Sequence, residues 1–173
     1  MSLTIPQRQT LRDAMLAIPT LAAAITAGDT PTLLAWANGA SATSAWRAAV
    51  EGSEIYDAHK PKEYQARSAG ERGSFDLMVL KPFASDFTVA KVRNGVAAIF
   101  SGSTNSSCRT DIFAAAQEMA SNAELVFGGA QESVGGSADM AETVTALDRA
   151  WEGEVEQVDI DWIVAQVLAA QQG

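Results

Sequence analysis

The hydrophobic residues of this chain recur mostly at intervals of three and four, which is the spacing of an amphipathic helix. The first such stripe follows a capping-box pattern, in which Thr4 precedes Gln7 by three residues, so a helix is predicted to start at Thr4. Asp29, with a proline two residues later, predicts the start of another helix that ends at Gly39. The first forty residues therefore predict several short helices.

Longer stripes continue through the rest of the chain. They predict a helix over 61–80, a helix behind a cap near Asp86 or Thr88, and a helix over 112–127. A C-terminal helix is predicted to begin at Asp159, whose side chain is a suitable N-terminal cap.

Three segments do not fit one period. Residues 45–50 form an apolar run too short to distinguish a helix from a strand. Residues 144–155 fit either element, although the Glu-Gly-Glu sequence at 152–154 favours a turn between two extended stretches. Two Gly-Gly pairs within 128–138 predict a linker or a flexible loop.

Charge is distributed unevenly along the sequence. The chain has 173 residues and a formal net charge of −9. Residues 1–109 carry eleven basic and nine acidic side chains, whereas 110–173 carry one basic and twelve acidic side chains. An acidic surface repels phosphate backbones, so we expect no direct binding to nucleic acid. Opposite charges at the two ends of the sequence could attract each other between copies, and the acidic end also favours solubility.

The candidate chemistry is sparse. Cys108 is the single cysteine and His59 the single histidine, and no sequence pattern links them, so we interpret Cys108 as a structural thiol. The sequence contains neither a nucleotide-binding glycine loop nor the paired cysteines and histidines of a zinc site. The acids over 152–161 lack the spacing of a calcium loop. We therefore predict no enzyme activity, no cofactor and no metal.

Several short blocks of sequence together resemble a known family of small proteins encoded in the late-gene clusters of tailed bacteriophages and prophages of proteobacteria. The blocks follow in order along most of the chain. They are Leu3-Thr4 with Gln7 and Leu11, Trp46-Arg47, residues 63–68 with Glu71-Arg72, residues 92–96 leading into 99–102, Arg109-Thr110, Ala123-Glu124 before Phe127, and residues 152–155 before Asp159-Ile160.

The resemblance implies a fold and a place of action. Members of the family usually have an extended segment before the Glu-Gly block, which favours a small β-hairpin near 143–156. The predicted fold is mainly α, a compact helical bundle with that hairpin and a C-terminal helix. We predict a helical domain over 1–127, a Gly-rich loop over 128–142, and a hairpin plus C-terminal helix over 143–173 that packs on the same core. The chain departs from the family over 128–142, where it is more acidic.

The resemblance also implies a non-enzymatic structural protein of the virion, made in the cytoplasm of the host bacterium. A neck or head–tail connector component that assembles as a ring is the preferred interpretation, with a capsid decoration or tail protein as the alternative. Its partners would be copies of itself and other virion proteins, such as portal or tail proteins, and no membrane. The candidate interface residues are Trp151, Glu152, Glu154, Glu156, Trp162, Arg47, Arg67 and Arg72.

A hypothesis of a different class treats the chain as an inhibitor of a host factor. Its acidic C-terminal third would imitate the phosphates of DNA and bind a host nucleic-acid-binding protein. Such binding would weaken with salt and would be lost when the glutamates of the 152–156 segment become glutamines.

Overall fold

The fold follows from short helices whose ends are set by local capping residues. The structure is a computed structural model that describes residues 2–101, 106–129, 131–134, 144–147, 151 and 153–172. Contacts between its residues divide the chain into two units. The helical unit comprises Met1–Thr43, Met119–Gly129 and Arg149–Gly173, and the mixed unit comprises Ser44–Glu118 and Ala130–Asp148.

The helical unit contains five described helices. They are α1 (Ile5–Leu16), α2 (Pro19–Ala27), α3 (Thr30–Asn38), α9 (Asn122–Phe127) and α10 (Gln157–Gln171). Thr4 caps α1 in a capping box with Gln7, and Asp29 caps α3, so both predicted start signals are confirmed. Gly28 closes α2 in the left-handed conformation, with φ of 69°, which a residue without a side chain adopts at no steric cost.

A continuous apolar core holds these five helices together. Each helix contacts at least two of the others, and Leu11, Met15, Ile25 and Leu33 are among the fully buried side chains. The Asn38 side chain donates to the carbonyl of Val155 at 2.9 Å and accepts from the amide of the same residue at 2.8 Å. This pair of bonds attaches the segment before α10 to the end of α3.

The mixed unit combines helices with short strands. Its helices are α4 (Gly52–Ala58), α5 (Pro61–Gln65), α6 (Ala69–Phe75), α7 (Ala90–Ile99) and α8 (Ser106–Ala115), with a π-helical turn over Asp76–Leu80. Its strands are β2 (Val50–Glu51), β3 (Ala84–Ser85), β5 (Gln131–Val134) and β6 (Val144–Leu147). The chain passes between the units within β1 (Ala40–Trp46) and β4 (Gln117–Ser121).

The strands form one small sheet and one short ladder. The sheet has the order β4-β1-β6-β5, in which β1 and β6 are parallel and β5 and β6 are antiparallel, and β2 pairs with β3 alone. The core beneath them contains Trp46, Phe75, Phe100 and Phe113, all fully buried. The predicted fold class, mainly helical with a small hairpin and a C-terminal helix, is confirmed.

The hairpin lies earlier in the sequence than its predicted position. Strand β6 falls within the predicted 143–156, but its partner is β5, which lies in the segment predicted as a Gly-rich loop. The register joins Val134 to Val144 and Gln131 to Leu147, and much of the predicted loop, 135–142, lies outside the described residues. The open assignment of 45–50 is resolved without a helix, because residues 45–46 end β1, residue 50 begins β2, and 47–49 form the connection between them.

Two predicted long helices are wrong in the same way. The 61–80 helix is interrupted at Ser68, and the 112–127 helix is interrupted by β4 before Ser121. In both places the serine is extended and starts a new helix, accepting from the backbone amide of Glu71 at 3.2 Å and of Glu124 at 3.1 Å. A serine side chain competes with the helical hydrogen bonds of its own backbone, so a Ser-x-x-Glu pattern overrides an apolar stripe.

The start of α10 also differs from its prediction. Glu156 is the residue at the cap position, and Asp159 lies one turn inside the helix, where it accepts from the Glu156 amide at 3.2 Å. The predicted boundaries at 127 and 142 divide the chain along its sequence, whereas the two observed units group segments that are distant in sequence. Those boundaries stay a prediction.

Candidate functional site

The candidate interface residues fall into both units. Trp151, Glu154, Glu156 and Trp162 belong to the helical unit, and Glu152 lies outside the described residues. Both tryptophans are half-buried and both glutamates are exposed. The Trp151 ring meets Phe127 edge to face, with 5.1 Å between the ring centroids. These tryptophans therefore contribute to packing within their own unit. Glu154 is exposed at its surface, whereas the Glu156 side chain caps the start of α10.

A buried ion pair lies directly beneath this surface. Asp159 is completely buried, and its Oδ1 accepts from Arg8 Nε at 2.8 Å, from Ser2 Oγ at 3.0 Å and from the backbone amide of Leu3 at 3.1 Å. The Arg8 guanidinium also lies over the Trp162 ring, 5.7 Å from its centroid. Asp159 thus fastens the N-terminal residues to α10. The sequence indicates only its local role at the helix start, because its other partners lie at the opposite end of the chain.

The three arginines of the candidate interface belong to the mixed unit. Arg47 forms a bidentate salt bridge with Glu54, through hydrogen bonds of 2.6 and 3.0 Å. It also donates to the carbonyl of Ala115, the last residue of α8. The hydrogen bond between the two side chains raises the pKa of Arg47 and lowers the pKa of Glu54. The carboxylate partner of Arg47 is therefore within its own chain.

The other arginines bind the ends of helices as well. Arg67 donates to the carbonyl of Ile99, the last residue of α7, and Arg72 donates to the carbonyl of Gln65, the last residue of α5, both at 3.3 Å. Arg109 is 99% buried and donates to the carbonyl of Phe100 at 3.0 Å. Carbonyls at a helix C-terminus lack intrahelical partners and carry partial negative charge, so a guanidinium stabilises them. These side chains are structural caps supplied from distant positions.

Cys108 lies in a polar cluster at the start of α8. Its backbone amide donates to Glu63 Oε2 at 3.0 Å, and its thiol accepts from the Lys60 amide at 3.3 Å. Lys60 forms an ion pair with Asp111, which raises the pKa of Lys60. Burial raises the pKa of Cys108 to about 11. The thiol is thus protonated and inaccessible, in agreement with its interpretation as structural. A groove of 490 Å³ at the same place is lined by residues 60–63 and Ser107.

His59 takes part in an aromatic chain. Its ring lies 4.9 Å from that of Tyr56 and 5.5 Å from that of Tyr64, and its Nδ1 contacts the Tyr56 carbonyl. Tyr64 continues toward the core through Phe75 and donates its hydroxyl to Asp76 at 2.7 Å. That hydrogen bond raises the pKa of Tyr64. The single histidine is therefore engaged in packing.

The feature that sequence reasoning missed is a set of exposed apolar side chains. Leu77, within the π-helical turn, is 66% exposed, and Phe83, just after it, is 89% exposed. Tyr56 on α4 is 62% exposed. In the helical unit, Val158 at the start of α10 is 52% exposed. The sequence carries a signal for this feature, because Phe83 follows a proline directly after the predicted 61–80 helix, outside any apolar stripe.

The described residues contain neither a cluster of metal-ligating side chains nor a membrane-spanning helix. Among residues 2–101, 106–129, 131–134, 144–147, 151 and 153–172, His, Cys, Asp and Glu side chains form no group of three or more that could hold a metal ion. Within the same ranges, every helix is too short or too polar to cross a bilayer. Comparison of the chain with protein-family models, with curated proteins and with solved structures gives no match.

Proposed function

We propose that this chain is a non-enzymatic structural protein of a tailed-phage virion, a neck or head–tail connector component that assembles as a ring of copies. The assignment to a virion rests on the ordered sequence blocks that resemble the late-gene family. The proposal that copies of the chain assemble rests on one structural observation. Phe83 and other large apolar side chains are exposed to solvent. Exposed aromatic side chains are enriched at protein–protein interfaces.

The use of the reactive side chains supports a structural function. Cys108 is buried with a raised pKa, so its nucleophilic form is suppressed. The His59 ring and the Tyr64 hydroxyl are engaged in packing and hydrogen bonding within the mixed unit. Asp159 and the arginines are likewise occupied in holding the fold.

Quantitative mass spectrometry of purified virions tests this proposal. Particles are prepared from a host strain that carries the phage or prophage encoding the chain, and are banded on a density gradient after nuclease treatment. We expect peptides of the chain to band with the major capsid protein at a constant ratio. A ratio that corresponds to one ring per particle favours the neck, and a ratio near that of the capsid protein favours a decoration protein. Repeated preparations that contain the capsid protein and lack this chain would overturn the proposal.

A further inference from the structure

The turn that carries Phe83 is held rigidly. The backbone amide of Lys81 closes the π-helical turn by donating to the Asp76 carbonyl at 2.7 Å. On the other side, buried Ser85 donates its hydroxyl to the carbonyls of Met78 and Val79, both at 3.3 Å, and pairs with Val50 in the ladder of β2 and β3. Both ends of residues 81–83, which we name the Phe83 turn, are therefore held by hydrogen bonds.

Rigid attachment makes the exposure of Phe83 meaningful. A mobile loop could fold an apolar ring back onto the protein, whereas this turn keeps the ring 89% exposed. A π-helical turn is rare and recurs at functional positions. An exposed aromatic side chain on a rigid element loses little conformational entropy when a partner covers it. The Phe83 turn thus has the properties of an interface anchor.

The Phe83 turn also carries an uncompensated positive charge. Lys81 is exposed, and its ammonium group has no ion-pair or hydrogen-bond partner in the part of the chain that the structure describes. A partner that presents an apolar spot next to carboxylates would therefore complement both Phe83 and Lys81.

The chain itself presents such a surface on its helical unit. Val158 and Asp161 lie three residues apart on one face of α10, and both are exposed, Val158 by 52%. Glu154, just before the helix, is exposed as well. Among the described residues of this unit, the basic side chains are Arg8 and Arg12, which are partly buried and already paired with Asp159 and Asp13. We name the surface formed by Glu154, Val158 and Asp161 the acidic face.

We infer that the partner of the Phe83 turn is a second copy of this chain, which receives Phe83 and Lys81 on its acidic face. The contact joins an aromatic ring to Val158 and an ammonium group to Glu154 and Asp161, so it is complementary in both polarity and charge. Because the two surfaces differ, each copy offers one of each, and the contact propagates head to tail. Such a contact forms a ring when the rotation between copies closes. The inference deepens the proposed function, on which it rests, by naming the surfaces that join the copies.

Charge-reversal variants test this arrangement by sedimentation velocity over a range of protein concentrations. Lys81→Glu and the double variant Glu154→Lys/Asp161→Lys are each expected to weaken self-association about tenfold or more, because like charges then meet. Phe83→Ser is expected to weaken it by about tenfold to a hundredfold through loss of apolar burial. A chain that carries all three charge reversals regains association, as does an equal mixture of the two charge variants.

Matched controls separate this contact from general electrostatics. Lys62→Glu, Asp57→Lys and Ile5→Ser change exposed side chains outside both surfaces and are expected to leave association unchanged. The Glu154→Lys/Asp161→Lys variant also reduces the net negative charge of −9, so non-specific repulsion alone would make it associate more tightly. Circular dichroism verifies that each variant is folded.

Three outcomes would overturn the inference. The first is a wild-type chain that sediments as a monomer up to about 1 mM. The second is loss of association in Phe83→Ser and Lys81→Glu with no effect of the Glu154→Lys/Asp161→Lys variant, which would indicate a two-fold contact between Phe83 turns. The third is failure of the combined reversals to restore association. Each leaves the assignment to a virion intact, because mass spectrometry of particles tests that assignment separately. A chain that self-associates but is absent from virions would refute the assignment to a virion alone.

Discussion

The buried carboxylate of Asp159 provides the sharpest test of how the helical unit is held together. Replacement by alanine removes an acceptor that serves Ser2, Leu3 and Arg8 through Oδ1, and the Glu156 amide through Oδ2. The residues it joins come from the two ends of the sequence. The variant therefore loosens the attachment of the N-terminal segment to α10 and leaves several polar groups without their partner.

The expected cost follows from the burial of each group. Removal of one partner from a buried ion pair costs about 3–5 kcal/mol, because the other charge is left uncompensated. The Leu3 amide is buried and loses its acceptor, which alone accounts for about 1–3 kcal/mol. The Arg8 side chain is 16% exposed and can turn toward water, which places the total near the lower end, about 3 kcal/mol. Such a loss is a large fraction of the stability of a small protein.

Urea denaturation followed by circular dichroism measures this change in the free energy of unfolding. Asp161→Ala is the matched control, because Asp161 is an exposed aspartate two residues further along the same helix, and its replacement is expected to cost no more than about 0.5 kcal/mol. Arg8→Met and Asp159→Asn, alone and combined, form a double-mutant cycle with an expected coupling of about 1–3 kcal/mol.

Equal losses for the Asp159→Ala and Asp161→Ala variants would refute this reasoning. A coupling energy near zero between Arg8 and Asp159 would contradict the ion pair specifically. In that case the carboxylate would contribute through the backbone amides of Leu3 and Glu156 and not through its charge.

Three further predictions concern the mixed unit. Gly52→Ala places a Cβ 2.8 Å from a backbone carbonyl of the π-helical turn and is expected to cost about 1–3 kcal/mol in chemical denaturation, whereas Gly70→Ala meets open space and is expected to gain up to about 1 kcal/mol. The pKa of Cys108 is raised from 9.0 to about 11 in the fold. At pH 8 the thiol is therefore expected to react with a thiol reagent at least about 100-fold more slowly in the folded than in the unfolded chain. Equal rates would contradict its burial. The fold lowers the pKa of Glu54 from 4.5, so the ionised side chain stabilises the protein above pH 4.5, and this stabilisation is lost as the pH falls through the lowered pKa. Arg47→Met removes the partner that lowers this pKa. The variant is therefore expected to lose less stability on acidification than the wild-type chain, as measured by urea denaturation at several pH values.

Local sequence signals predicted the helices well wherever the signal acts within one turn. The capping box at Thr4 and the cap at Asp29 both depend on residues three positions apart. The same rule applied at Ser68 and Ser121, where the Ser-x-x-Glu pattern was present but an apolar stripe was given more weight. Those two breaks were therefore predictable from the sequence, because the Ser-x-x-Glu pattern overrides an apolar stripe.

The position of the hairpin was not predictable in this way. Strand β6 pairs with β5 on one side and with β1 on the other, and Ala45, the β1 residue in register with Leu147, is far away along the chain. A short apolar run has no preference for helix or strand until neighbouring strands satisfy its backbone. Its structure therefore depends on segments that periodicity cannot bring together.

Local signals and tertiary packing determine different features of this protein. The amino-acid sequence alone was sufficient for the helix starts and the mainly helical fold class, because capping bonds and apolar stripes act between residues within a few positions of one another. It did not reveal that Arg67 and Arg109 bind the end of α7, that Asp159 holds Arg8, or that Phe83 remains exposed. Those outcomes depend on which distant segments pack beside each side chain, and only the folded chain brings those segments within hydrogen-bonding distance.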